Sequence, residues 1–109
     1  MNITIQNCIS QLKAEFVGDT TATVIDAIAI DSRSLQYSPT TLFFALVGPN
    51  NDAHEYIKEL IGKGVQNFVV TRIPQDCQGK ANFLVVNNTL EALQRLAAHY
   101  RSLFHFPII

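Results

Sequence analysis

At 109 residues, 48% of them hydrophobic and 16% charged, the chain has the size and composition of one globular domain and not of a disordered segment. The net charge is −1, and the eight basic residues (Lys13, Arg33, Lys58, Lys63, Arg72, Lys80, Arg95 and Arg101) are scattered, so there is no basic stripe for nucleic acid. Apolar runs fall far below the about 20 residues that span a bilayer, and no positive stretch precedes a long apolar one at the N-terminus. No membrane insertion, no signal peptide and a cytoplasmic location are therefore expected.

In chain order, Thr4 caps a short helix whose apolar face is Ile5, Cys8, Ile9 and Leu12. Residues 15–17 form a short strand ended by Gly18 and Asp19, and the Thr-rich patch after it leads to a sheet strand over 24–30. Asp31, Ser32 and Arg33 open a polar loop, which Pro39 closes by fixing its own φ and keeping Ser38 out of the α region. The unbroken apolar run 42–47 marks a strand covered on both faces. Gly48, Pro49, Asn50 and Asn51 interrupt it. Asp52 then starts a helix, with Glu55 completing a capping-box pattern.

Tyr56, Ile57, Leu60 and Ile61 give that helix its buried face, and Gly62 or Gly64 ends it. Residues 67–71 are the next strand, so 42–71 predicts a strand–helix–strand unit with a parallel, right-handed connection. Residues 72–82 read as a surface loop and 83–86 as another buried strand. Asn88 and Glu91 repeat the capping-box pattern at the head of the longest helix, predicted to reach about residue 104. Its face is Leu90, Leu93, Leu96, Ala97, Tyr100 and Phe104. Pro107 stops it, and Ile108 and Ile109 look like the start of a strand. The fold class is thus a small α/β domain, three-layer-like, with a mostly parallel sheet and flanking helices. Two polar loops lie at one end of buried strands, where an open α/β sheet forms a ligand crevice.

Those loops carry a resemblance. DSR, a proline, LFFAL and then G-x-x-x-D-A-H, with an aromatic two residues after the His, resemble the N-terminal domain of the Mur ligases over nearly the whole chain. Those enzymes add amino acids to UDP-N-acetylmuramic acid in peptidoglycan synthesis, and Asp-Ala-His points to the branch that adds D-alanyl-D-alanine rather than the branch that adds the third peptide residue. The resemblance implies a domain that holds the UDP end of UDP-N-acetylmuramoyl-tripeptide. The parent ligase would use ATP and Mg²⁺ held by further domains. No G-x-x-x-x-G-K-[ST] occurs here, so the fragment itself is expected to hold no cofactor and to stop before the ATP-binding domain.

The same resemblance assigns Ser32 and Arg33 to the diphosphate or adjacent sugar, chemistry that a hydroxyl and a forked guanidinium suit. It assigns Asn50 and Asn51 to uracil or ribose, has Asp52 shape the loop and has His54 line the nucleotide pocket. Phe44, Ala45 and Gly48 form the strand end beneath, the last two being small enough for a base to approach. Each residue also has a plain structural role: Asp31 and Arg33 as an exposed pair at a turn, Asp52 as a helix cap, His54 as a boundary residue, Phe44 as core and Gly48 as a turn. An interaction module that keeps the fold without the nucleotide site is the reading from a different class.

A hydrolase triad of Ser32, His54 and Asp31 or Asp52 has little support, since Ser32 is not in G-x-S-x-G. No Cys or His spacing suggests a metal site. Cys8 and Cys77 are expected to be reduced thiols, and His99 and His105 carry no role.

Overall fold

The computed structural model describes residues 3–19, 23–25, 27–30, 40–49 and 52–99. Strand β1 (Ile3–Thr4) leads directly into helix α1 (Ile5–Leu12). Thr4 caps that helix reciprocally: its hydroxyl accepts from Asn7 N–H at 3.2 Å and its own N–H donates to Asn7 Oδ1 at 3.0 Å. The helix ends at Lys13, which takes a left-handed conformation at φ 53°. Strand β2 (Glu15–Val17) follows as predicted.

The single strand expected over 24–30 is two. Strand β3 (Val24–Ile25) pairs antiparallel with β1, and β4 (Ala27–Ala29) joins the main sheet. Ile25 lies opposite Ile3, and both are buried against α1, so the first half of the segment closes that layer instead of extending the sheet.

The main sheet also contains β5 (Thr41–Phe44), β6 (Asn67–Val70) and β7 (Asn82–Val85). Its order is β2-β7-β6-β5-β4, parallel throughout except for β2 at one edge. Side chains of successive residues go to opposite faces. Leu42 and Phe44 with Val69 and Leu84 meet α1 and helix α3 (Thr89–His99), while Phe43, Ala45, Phe68, Val70 and Phe83 meet helix α2 (Ile57–Gly62) and the 3₁₀ turn Gln75–Cys77. Phe43 packs edge-on against Phe68 at 6.0 Å between ring centres, and Phe68 stacks with Phe83 at 5.7 Å. The result is two half-cores separated by a mostly parallel sheet.

The unit β5–α2–β6 has the expected parallel connection. The helix between these strands does not start at Asp52, however. Residues Ala53–Tyr56 form a 3₁₀ turn and only Ile57 onward is α-helical. The Asp52 carboxylate caps His54 N–H instead of Glu55 N–H, which tightens the first turn. The far end is a Schellman motif: Val65 N–H reaches the Leu60 carbonyl at 3.0 Å and Gly64 N–H the Ile61 carbonyl at 3.1 Å. Gly64, at φ 108°, takes the left-handed position this motif needs.

Two further expectations shift. The loop 72–82 is not wholly superficial, since the 3₁₀ turn buries Cys77 and Asn82 already belongs to β7. Leu90, placed on the packing face of the last helix, is 50% exposed, because in a helix starting at Thr89 the inward face is Ala92, Leu93, Leu96 and Ala97. Asn88 does cap that helix, its Oδ1 accepting from Glu91 N–H at 3.0 Å. Tyr100, Phe104, Pro107, Ile108 and Ile109 lie outside the described residues.

At the lower, N-terminal ends of the parallel strands runs a row of side-chain amides. Asn67 Nδ2 donates to the Thr41 carbonyl at 3.2 Å, Asn82 Nδ2 to Asn67 Oδ1 at 3.0 Å, and Asn82 Oδ1 accepts from Asp19 N–H at 3.1 Å. Asn67 and Asn82 are buried. Gly18 lies so close to this row that a Cβ there would sit 2.5 Å from Asn82 Oδ1.

Candidate functional site

The chemistry gathers at the opposite, C-terminal ends of the strands. After Phe44 the chain makes two more inward contacts, Ala45 N–H to the Val69 carbonyl at 2.9 Å and Leu46 N–H to the Phe44 carbonyl at 3.0 Å. It then leaves the sheet and returns as Asp52 pairs with Val47 in a β-bridge and Ala53 N–H donates to the Leu46 carbonyl at 2.9 Å. The chain is therefore pinned to itself where it leaves at Val47 and where it returns at Asp52. Gly48, directly after Val47, is exposed. Phe44 and Ala45 are fully buried on opposite faces of the sheet, so their side chains support this end from within the core. Ser32, Arg33, Asn50 and Asn51 lie outside the described residues. In sequence, Ser32 and Arg33 follow β4, which neighbours β5 in the sheet.

Asp52 is the hub. Its Oδ1 accepts from His54 N–H at 2.9 Å and pairs with His54 Nδ1 at 2.6 Å, and its Oδ2 accepts from Arg72 Nη2 at 2.5 Å. On the other side of the imidazole, Thr71 N–H donates to Nε2 at 3.0 Å, with Thr71 Oγ1 at 3.3 Å. Because Nε2 accepts from a backbone donor, the ring proton belongs on Nδ1, where it donates to Asp52. The His54 side chain is 1% exposed and both nitrogens are engaged, so a ligand bond to this ring needs one of these bonds to open. Asp52 is thus a cap and a loop-shaping group at once, and His54 ties the loop to the end of β6.

Partial burial pushes the Asp52 carboxyl up, but the Arg72 guanidinium, the His54 N–H and the His54 ring together outweigh it and hold it at about 2. Asp52 therefore stays a carboxylate at neutral pH, which suits it to orient neighbours and unsuits it to touch a phosphate.

Thr71 and Arg72 were missed in the sequence. A usable signal was present: they directly follow the apolar run of β6, as Asp31 to Arg33 follow that of β4. Of the hydrolase triad, Asp52 and His54 are paired and Asp31 and Ser32 lie outside the described residues; among the described residues the hydroxyl beside His54 is that of Thr71. No group of three or more His, Cys, Asp or Glu that could hold a metal occurs among the described residues. Cys8 and Cys77 are buried free thiols in different half-cores. An open cleft of about 430 Å³ between α1, β2 and the head of α3, bordered by Lys13, Glu15, Glu91 and Arg95, contains none of the candidate residues.

No family model matches the chain. Curated relatives do. A UDP-N-acetylmuramoyl-tripeptide–D-alanyl-D-alanine ligase from Synechocystis is 40% identical over 87 residues, covering 78% of this chain and 18% of its own length. The enzyme of that name from Rickettsia prowazekii is 40% identical over 60 residues, covering 55% and 13%. A UDP-N-acetylmuramoyl-L-alanyl-D-glutamate–2,6-diaminopimelate ligase from Phocaeicola vulgatus is 30% identical over 86 residues, covering 79% and 17%. Among solved structures, the UDP-N-acetylmuramoylalanyl-D-glutamyl-2,6-diaminopimelate–D-alanyl-D-alanyl ligase of Acinetobacter baumannii superposes with a TM-score of 0.79 at 28% identity, over 94% of this chain and 22% of that one. The chain thus spans less than a fifth of the length of the curated relatives it matches.

Proposed function

We propose that this chain, whose curated homologues are Mur ligases, is a domain that holds the UDP-N-acetylmuramoyl end of a peptide substrate for peptidoglycan synthesis. The observation that carries the reading is the pinning of Val47 to Asp52 at the C-terminal end of β5, the strand that neighbours β4 in the sheet. Neighbouring strand ends of an open parallel sheet are where such folds take nucleotides. Arg33, with its planar fork, and Ser32 bind the diphosphate or the sugar next to it. Asn50 and Asn51 hydrogen-bond uracil or ribose. Gly48 allows close approach, Phe44 and Ala45 form the packed floor, and Asp52 with His54 sets the loop.

In the parent ligase, ATP and Mg²⁺ supply activation of the peptide carboxylate for attack by the D-alanyl-D-alanine amine. This chain contributes substrate placement, and the ATP-binding and C-terminal domains contribute the rest. Addition of the third peptide residue is the competing activity, since relatives of both kinds match. Assaying a longer chain with D-alanyl-D-alanine and with 2,6-diaminopimelate as the amine separates them.

The direct test is a backbone NMR titration with UDP and then UDP-N-acetylmuramoyl-tripeptide. Shifts concentrated at Ser32, Arg33, Ala45, residues 48–52 and His54 are expected. Silence with both ligands, here and in a longer chain, sinks the reading in favour of an interaction module.

A further inference from the structure

The geometry points to Arg72 as a positioning residue for the nucleoside-reading loop, acting through Asp52; this inference rests on the nucleotide-binding reading above. The Val47–Asp52 bridge and the Ala53-to-Leu46 hydrogen bond tie the departing and returning ends of this segment only to each other. A second set of bonds, made by Asp52 and His54, crosses to the end of the next strand. His54 takes the Thr71 N–H, and Arg72 takes the free oxygen of Asp52. Two consecutive residues after β6 thus grip two residues of the segment after β5, and Asp52 is held from both sides.

The three members differ in exposure. The His54 side chain is 1% exposed, that of Asp52 26% and that of Arg72 58%. The buried His54, with the part-buried Thr71, anchors the segment to the fold, whereas Arg72 closes the network from the solvent side. With Asp52 already engaged by His54, the Arg72 ion pair adds no net charge to the rim. Arg72 accordingly serves the loop that reads the uncharged base and ribose, and leaves the diphosphate to Arg33. A guanidinium suits the task because its planar fork fixes the carboxylate's direction, which a lysine ammonium fixes less well.

The test compares the 109-residue chain with its Arg72→Gln and Arg72→Lys variants, titrating each with uridine and with UDP by NMR. Loss of one exposed ion pair corresponds to about a two- to fivefold change in affinity. Arg72→Gln is expected to weaken uridine and UDP by the same factor and to move the amide signals of Gly48 and Asp52 in the free protein. Arg72→Lys, which keeps one donor, is expected to recover part of the loss. Weakening of UDP alone overturns the inference, because it makes Arg72 a phosphate contact. Unchanged affinity for both ligands also overturns it while leaving the nucleotide-binding reading intact. If the unsubstituted chain binds neither ligand, the same variants are compared in a longer chain, and silence there too brings down the inference and that reading together. A thermal melt of each variant checks that the folded state is retained.

Discussion

A buried imidazole with two committed nitrogens is costly to replace. In His54→Leu the part-buried Thr71 N–H loses its acceptor, while Asp52 Oδ1 loses the ring donor and keeps the backbone N–H of residue 54; leaving a donor unpaired in this way costs about 1–3 kcal/mol. Urea unfolding at neutral pH measures the loss. The Asp52 carboxyl gives a pH signature of opposite origin. Its folded-state value of about 2 lies below the ordinary 3.8, so its contribution is fully present above pH 4 and disappears as pH falls through 2. Allowing for its partial exposure, the contribution is about 1–2 kcal/mol. Asp52→Asn should lower stability by that amount at pH 7 and flatten the curve between pH 4 and 2. Parallel acid limbs in the two proteins would contradict the assignment.

At the scale of elements, the row Thr41–Asn67–Asn82–Asp19 sets strand register. Each amide bonds to the neighbouring strand at one level, and a one-residue slip would leave buried amide groups unpaired. Asn67→Leu is expected to cost about 1–3 kcal/mol although it adds apolar volume, because Asn82 loses its acceptor. Gly18→Ala is expected to destabilise by about 1–3 kcal/mol through its clash with Asn82. Helix α3 offers an internal comparison. Leu93→Ala should cost about 2–4 kcal/mol and Leu90→Ala under 1, since Leu93 is packed in the core and Leu90 half-exposed. Equal losses would restore Leu90 to the packing face.

For the molecule as a whole, the local patterns were readable and the cross-chain ones were not. The apolar run of β5 announced a strand covered on both faces, and the Asn88 pattern announced the head of α3, because each depends on residues within one turn or one strand. Asn82 reads as a loop residue, nothing in the sequence joins it to Asn67 at the head of the preceding strand until the sheet pairs them, and β1 is too short to carry a period. The candidate site divides the same way. Asp52 and His54 stood out through the cap they form, whereas Thr71 and Arg72 come to them from 17 and 20 residues away, a partnership only the parallel crossover creates.

The separation of the core into two halves gives this molecule a pair of built-in clocks. Cys8 points from α1 into the half-core shared with α3, where burial pushes its thiol up to about 12, and Cys77, the last residue of the short 3₁₀ turn, is buried on the other side of the sheet, where burial, with Asp76, also pushes its thiol up. Neither reacts as a thiolate until its own side of the sheet lifts. Pulsed alkylation read by mass spectrometry therefore times the opening of each face separately, and Cys77, covered by the lighter layer, should be modified first. Identical rates at both cysteines would mean that the sheet releases its two coverings in a single concerted event.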